Sequence, residues 1–220
     1  MKVSLISYTR PSLDLKTQGI ENVQELVAYC ARVSNPANQT NTDTSEKLIR
    51  YLIKHKHWSP LEMVSACLEI ETTRDIARQI LRHRSFAFQE FSQRYAVADL
   101  GVEYKEARLQ DTKNRQNSID VEDPALQEEW MILQRNVADT SKVAYDWAIS
   151  KGIAKEQARA VLPEGITTSR LYMQGTLRSW LHYIELRSGP ETQKEHREVA
   201  QACATALESI FPMVSEFLVK

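Results

Sequence analysis

At 220 residues, 42% hydrophobic and 26% charged, the chain has an ordinary globular composition, without the bias of a disordered or fibrous protein. Its formal net charge of -1 argues against a protein built to grip long polyanions, so polymeric nucleic acid is not an expected partner and any anion site has to be local. The apolar run in Met1 to Ser7 is too short for a signal peptide, and nowhere do about 18 apolar residues follow one another, so neither secretion nor a membrane partner is expected. Cys30, Cys67 and Cys203 lie far apart with no CxxC pair and read as reduced, buried thiols of a cytoplasmic protein.

In chain order, a short strand is predicted around Val3 to Tyr8, then a helix in which Val23, Leu26, Val27 and Cys30 recur at helical spacing. A second helix starts near Thr44 and Ser45, with Leu48, Leu52 and Ile53 apolar, and ends in the basic run Lys54 to His57. After Pro60, Val64, Ala66, Leu68 and Ile70 alternate with polar residues, the period of a strand with one buried face. Thr72 or Thr73 can cap the next helix, Arg74 to His83, with Ile76, Ala77, Ile80 and Leu81 inward. Leu100 to Pro124 turns polar and reads as a surface loop or flap around Asp111 to Ser118. A long helix follows from Leu126 to Gly152, striped by Trp130, Leu133, Val137, Ala144 and Trp147. A short helix holds Ala158 to Val161 and stops at Pro163. Thr167 to Met173 is either a strand or the lead into a helix marked by Leu177, Trp180, Leu181 and Ile184. The last helix carries Val199, Cys203, Ala206 and Ile210 up to Pro212. The expected fold is a single α/β (α+β) domain over 1–220, with a small, mostly antiparallel sheet and long flanking helices.

The chemistry concentrates in Arg82 to Tyr95, where arginines and a histidine interleave with aromatics, hydroxyls and amides. Guanidinium forks grip phosphate oxygens in pairs, small polar groups complete the donor set, and rings stack on heterocycles, so a nucleotide or a flavin fits this inventory. Taken singly, each residue has a plainer reading. Arg78 and Arg82 would be a solvated helix face, Glu90 an exposed acid, Arg159 and Arg187 ion-pair partners, His182 a structural histidine, and His55 and His57 surface residues rather than metal ligands.

The order of motifs decides between these readings. Arg82-His83-Arg84, seven intervening residues, then Ser92 and Arg94-Tyr95 resembles the signature of the flavin-dependent thymidylate synthases. Three further segments stand in that family's order: His57-Trp58-Ser59-Pro60-Leu61-Glu62, Ala158-Arg159-Ala160-Val161-Leu162-Pro163, and Arg178-Ser179 leading to Leu186-Arg187 and Gln193. Ala31-Arg32-Val33-Ser34 is a further match near the N-terminus. The resemblance implies conversion of deoxyuridylate (dUMP) to thymidylate without a cysteine nucleophile. Methylenetetrahydrofolate would be the carbon donor, FAD the flavin and NADPH the reductant, in a homotetramer whose sites are shared between subunits.

Carried over position by position, the resemblance gives flavin contacts to Ser59, Arg82, His83, Arg84, Glu90, Thr176, Leu177, Arg178 and His182. It gives dUMP contacts to Gln79, Arg82, Glu90, Phe91, Ser92, Gln93, Arg94, Arg159 and Arg187, with Arg187 the catalytic group and no metal. Pro60-Leu61-Glu62-Met63 replaces the family's more usual Pro-Phe-Glu-His, Thr176 and His182 stand where asparagines are common, and Glu191 stands where histidine is frequent. Phe86, Phe88 and Phe91 read as packing or subunit-contact residues.

Overall fold

The computed structural model describes residues 1–99 and 101–219; Leu100, the first residue of the expected polar loop, lies outside the described residues. In chain order the elements are β1 (Lys2–Tyr8), α1 (Leu13–Thr17), α2 (Val23–Ala31), α3 (Ser45–Lys54), β2 (Ser65–Thr73), α4 (Arg74–Ile80), β3 (Ala87–Glu90), β4 (Arg108–Gln110) and β5 (Ser118–Asp120). They continue with α5 (Pro124–Ser150), α6 (Lys155–Ala158), β6 (Thr168–Thr176), α7 (Leu177–Arg187) and α8 (Lys194–Glu208). Short 3-10 turns cover Ser59–Glu62, Arg159–Val161 and Pro212–Phe217.

Four strands form one antiparallel sheet in the order β1-β2-β6-β3. The alternation in β2 sends Ala66, Leu68, Ile70 and Thr72 to a buried face, where Leu171, Met173 and Gly175 of β6 lie opposite. Against that face pack α4, α7 and α8, and α2 and α3 complete the same core, with Trp180, Tyr183 and Phe211 among its largest side chains. The other face is polar, and there Arg170 pairs directly with Glu71 across the strands at 2.7 Å. A register shift between Leu5 and Ser7 turns Ile6 outward, leaving it exposed.

The site is positioned by two strand-to-helix passages. β2 runs without a break into α4 at Thr73, and β6 into α7 at Thr176. Because the strands are antiparallel, with Thr73 opposite Thr168 and Ser65 opposite Thr176, the two helices start at opposite ends of the sheet. The chain just beyond α4 and the C-terminal end of α7 then meet. Both helix starts are satisfied locally: Arg74 N donates to Thr167 O, Leu177 N to Val64 O, and the Thr176 hydroxyl accepts from Ser179 N.

Several elements differ from the sequence reading. The segment expected as a strand or helix lead at Thr167 to Met173 is a central strand that is also continuous with α7. The polar stretch is not all loop, since β4 and β5 form a hairpin within it. α4 stops at Ile80 rather than His83, because His83 N closes a tighter turn on Ile80 O and the chain leaves for β3. α8 stops at Glu208, before Ile210, and Pro212 opens a separate 3-10 turn. In α3, Ile49 is fully buried and Leu48 half-buried. Cys203 is buried, but Cys30 and Cys67 are only half-buried, Cys67 because it sits at the outward parity of β2. The apolar stripe of α5 does not face the core: Trp130, Leu133, Val137 and Trp147 are all exposed.

Candidate active site

Where the end of α4 meets the end of α7, the Arg187 Nε–H donates to His83 Nε2 at 3.0 Å. Behind this pair the Tyr183 ring stands edge-on to the His83 ring, with centroids 4.9 Å apart. The Tyr183 hydroxyl lies 3.1 Å from His196 Nε2, and His196 Nδ1 lies 3.2 Å from Gln79 Oε1. Gln79 donates to Gln193 at 2.7 Å, Gln193 to Glu195 at 2.9 Å, and Arg108 of the hairpin to Glu195 at 2.6 Å. This ladder forms the floor of the site.

Its electrostatics follow from burial beside a fixed cation. His196 has no exposed surface, and burial, then Arg187 and His83, lower its pKa to about 3. Burial, Arg187 and Arg82 together lower that of His83 to about 4. Both rings are therefore neutral at pH 7, which is what lets His83 accept a hydrogen bond from a guanidinium. Burial pushes the Tyr183 hydroxyl well above its ordinary value, so it remains a protonated donor. Among the described residues the Nη atoms of Arg187 make no hydrogen bond with protein. The guanidinium is braced at Nε with its terminal fork open.

Aromatic packing sets the height of this floor. Phe86 packs edge-on against Trp180 at 4.8 Å and lies over Gly175, where an added Cβ would come within 2.4 Å of the ring. Phe86 and Phe88 thus serve packing, as their sequence context suggests.

The remaining expected residues form a rim in two groups. At one end, Ser59 is exposed on its 3-10 turn, Arg178 pairs with Glu62 at 2.5 Å, and His182 stands edge-on to Trp58 at 4.4 Å. His182 also lines an open cavity of about 560 Å³ with Leu186 and Glu191. Burial and Arg178 lower its pKa, partly opposed by Glu185. At the other end, Glu90 is held by Arg74 at 3.5 Å and by the Ser169 hydroxyl at 2.9 Å, Phe91 is half-buried with its N–H donating to Arg170 O, and Gln93 is buried. Ser92 and Arg94 are exposed, with Arg94 pairing with Glu156 of α6 at 3.2 Å, next to half-buried Arg159. Arg82 and Arg84 are exposed beyond α4. Along β6 the two groups stand five residues apart, from Leu171 opposite Glu90 to Thr176, roughly 17 Å of strand.

Two expected contacts are already committed to the fold. The Thr176 hydroxyl caps α7, and Leu177 is fully buried with its N–H on Val64 O, at the first position of the helix. Arg32, in the N-terminal match, is buried and donates to Thr44 at 2.8 Å, a structural role. Tyr183, His196, Arg74 and Glu195 had no role in the sequence reading. His196 carried a weak signal, since it falls on the apolar face of α8 with Val199, Ala200 and Cys203, where a histidine needs a buried partner.

The family model described as thymidylate synthase complementing protein matches residues 16–213. The chain is 48% identical over 220 residues to a flavin-dependent thymidylate synthase of Synechocystis sp., covering 99% of each chain. It is 47% identical over 218 residues, again 99% of each, to a probable flavin-dependent thymidylate synthase of Paramecium bursaria Chlorella virus 1. Its fold matches the crystal structure of a UMP/dUMP methylase from Streptomyces cacaoi bound with 5-Br dUMP, with a TM-score of 0.82 at 24% identity over 98% of this chain and 93% of that one.

Proposed function

Since the chain belongs to the family of thymidylate synthase complementing proteins, we propose that it is a flavin-dependent thymidylate synthase, a single domain over 1–220 that methylates dUMP reductively to dTMP. Methylenetetrahydrofolate is the carbon donor, FAD the flavin and NADPH the reductant. The observation that carries this reading is Arg187, half-buried and braced on neutral His83, with an open fork. Activating a pyrimidine carbon for attack on a one-carbon donor places negative charge on the ring's heteroatom edge. A guanidinium that is always protonated, planar and already oriented stabilises that charge without reorganising. No thiol competes for the role, because burial pushes Cys30, Cys67 and Cys203 all above the ordinary range.

The donor set suits an anionic dinucleotide: Arg82, Arg84 and Arg178 stand at least partly open to solvent, and Ser59 offers a hydroxyl. Those residues, with His83, Glu90, Thr176, Leu177 and His182, would hold the flavin, which when bound supplies the hydride that the new carbon requires. Gln79, Phe91, Ser92, Gln93, Arg94, Arg159 and Arg187 would hold dUMP, with Arg82 and Glu90 facing both ligands.

A homotetramer with shared sites is supported by the exposed apolar face of α5 and by the separation of the two rim groups. Among the described residues no helix is long and apolar enough to cross a membrane, and a cytoplasmic location fits three unpaired cysteines. The test is optical: purified protein should be yellow or loadable with FAD, bleach on adding NADPH, and shift its flavin spectrum with dUMP. Colourless protein that takes up no FAD would overturn the reading.

A further inference from the structure

We propose that Glu195 is a positioning residue for dUMP: through Gln193 it fixes which way the Gln79 amide faces and which nitrogen of His196 carries the proton. The proposal rests on the reading above in one respect, that Gln79 touches dUMP.

The orientation follows from what each group can donate or accept. Glu195 is half-buried and receives both Arg108 Nη2 and Gln193 Nε2. Burial pushes its carboxyl up, but its own backbone amide, Gln193 and Arg108 outweigh that and hold it below the usual range. An ionised carboxylate can only accept. Gln193 must therefore turn its NH2 toward Glu195 and its oxygen toward Gln79, 2.7 Å away. Gln79 then has its NH2 toward Gln193 and only its oxygen toward His196 Nδ1, which must carry the hydrogen. With Nδ1 protonated and the ring neutral, Nε2 is bare and accepts from the Tyr183 hydroxyl.

Without the charge, the same ladder closes equally well in reverse. Tyr183 would accept from Nε2–H, Nδ1 would accept from the Gln79 NH2, and both amides would be turned over, with the Gln79 oxygen standing where its N–H now stands. Only a group at 195 that cannot donate forbids that arrangement. Arg108 makes the charge tolerable at this depth, and it ties the β4–β5 hairpin to the same carboxylate.

The test uses the full chain with its histidines labelled with nitrogen-15, where ring nitrogen shifts report the tautomer without any nucleotide. Wild-type His196 should be the Nδ1–H form, and an Nε2–H form would overturn the proposal outright. Glu195→Gln keeps size and removes the charge. His196 should become a mixture of tautomers, and dUMP should bind roughly five- to tenfold more weakly, the size of one misdirected hydrogen bond. Arg108→Lys keeps an acceptor-only Glu195 and should leave the tautomer unchanged. A pure Nδ1–H form in Glu195→Gln, or mixed tautomers with unchanged dUMP affinity, would each overturn the proposal. Wild-type protein that binds no dUMP would overturn the functional reading and the substrate half of this one, a failure told apart by the tautomer readout.

Discussion

The floor of the site and its rim are held by different means. On the floor, Gln79, Tyr183, Arg187 and His196 come from three helices packed on one buried sheet face and His83 from the turn that follows α4, and each is tied to another by a hydrogen bond or ring contact. On the rim, Arg82 and Arg84 stand in solvent, while Arg94 and Arg178 pair only with exposed acids, contacts worth little in water. Folding alone orients Arg187, the group proposed to meet developing charge. The groups proposed to grip ligand phosphates stand in solvent or in exposed ion pairs, where the fold does little to fix them.

The sharpest way to break this contrast is Arg187→Lys. A point charge cannot be braced at Nε or present a planar fork, so thymidylate formation should fall by on the order of 10²–10³-fold while the flavin spectrum persists. Unchanged turnover in a dUMP assay would refute the role. A second test uses pH. His83 and His196 protonate near 6.5 once unfolded but only near about 4 and about 3 when folded. Their contribution is complete above pH 6.5 and is lost as pH falls toward the folded values, because the unfolded chain then binds protons that the native one does not. Urea unfolding between about pH 4.5 and 6 should show stability falling with a slope of roughly one to two protons, and His196→Asn should remove about one of them. An identical slope in that variant would place the uptake elsewhere.

Third, Gly175→Ala drives a methyl into Phe86 and should destabilise the floor by about 1–3 kcal/mol, lowering the melting temperature by roughly 3–10 °C. A neutral result would mean that the ring has room to move. The smallest stability effect belongs to the rim. Arg94→Ala should leave melting within about 0.5 kcal/mol, yet weaken dUMP binding about tenfold by removing one charged donor. A large drop in melting temperature would erase the distinction between rim and floor.

Legibility followed the same boundary. The alternation of β2 and the stripes of α2, α4 and α7 could be read because burial imposes a local period on the sequence. The rim arginines could be read because their order matched a family signature. The ladder could not, because Gln79, Tyr183 and His196 are separated by 104 and 13 positions, and nothing local to Gln79 marks it as the partner of His196. The hairpin was missed because each of its strands is three residues long, too short for a period to show. The α5 stripe showed a helix but not which way it would face.

By itself the sequence determined most of the helices, the strands β1 and β2, the arginine-rich ligand chemistry and the family, since propensity, periodicity and motif order are all properties of neighbours along the chain. Tertiary structure alone decided that two helices leaving antiparallel strands at opposite ends should close on Arg187 and His83. It also decided that Thr176 and Leu177 serve the fold first, and that one carboxylate at 195 orients a buried ladder. Those outcomes depend on strand direction, depth and the matching of donors to acceptors across the core, which no window of sequence contains.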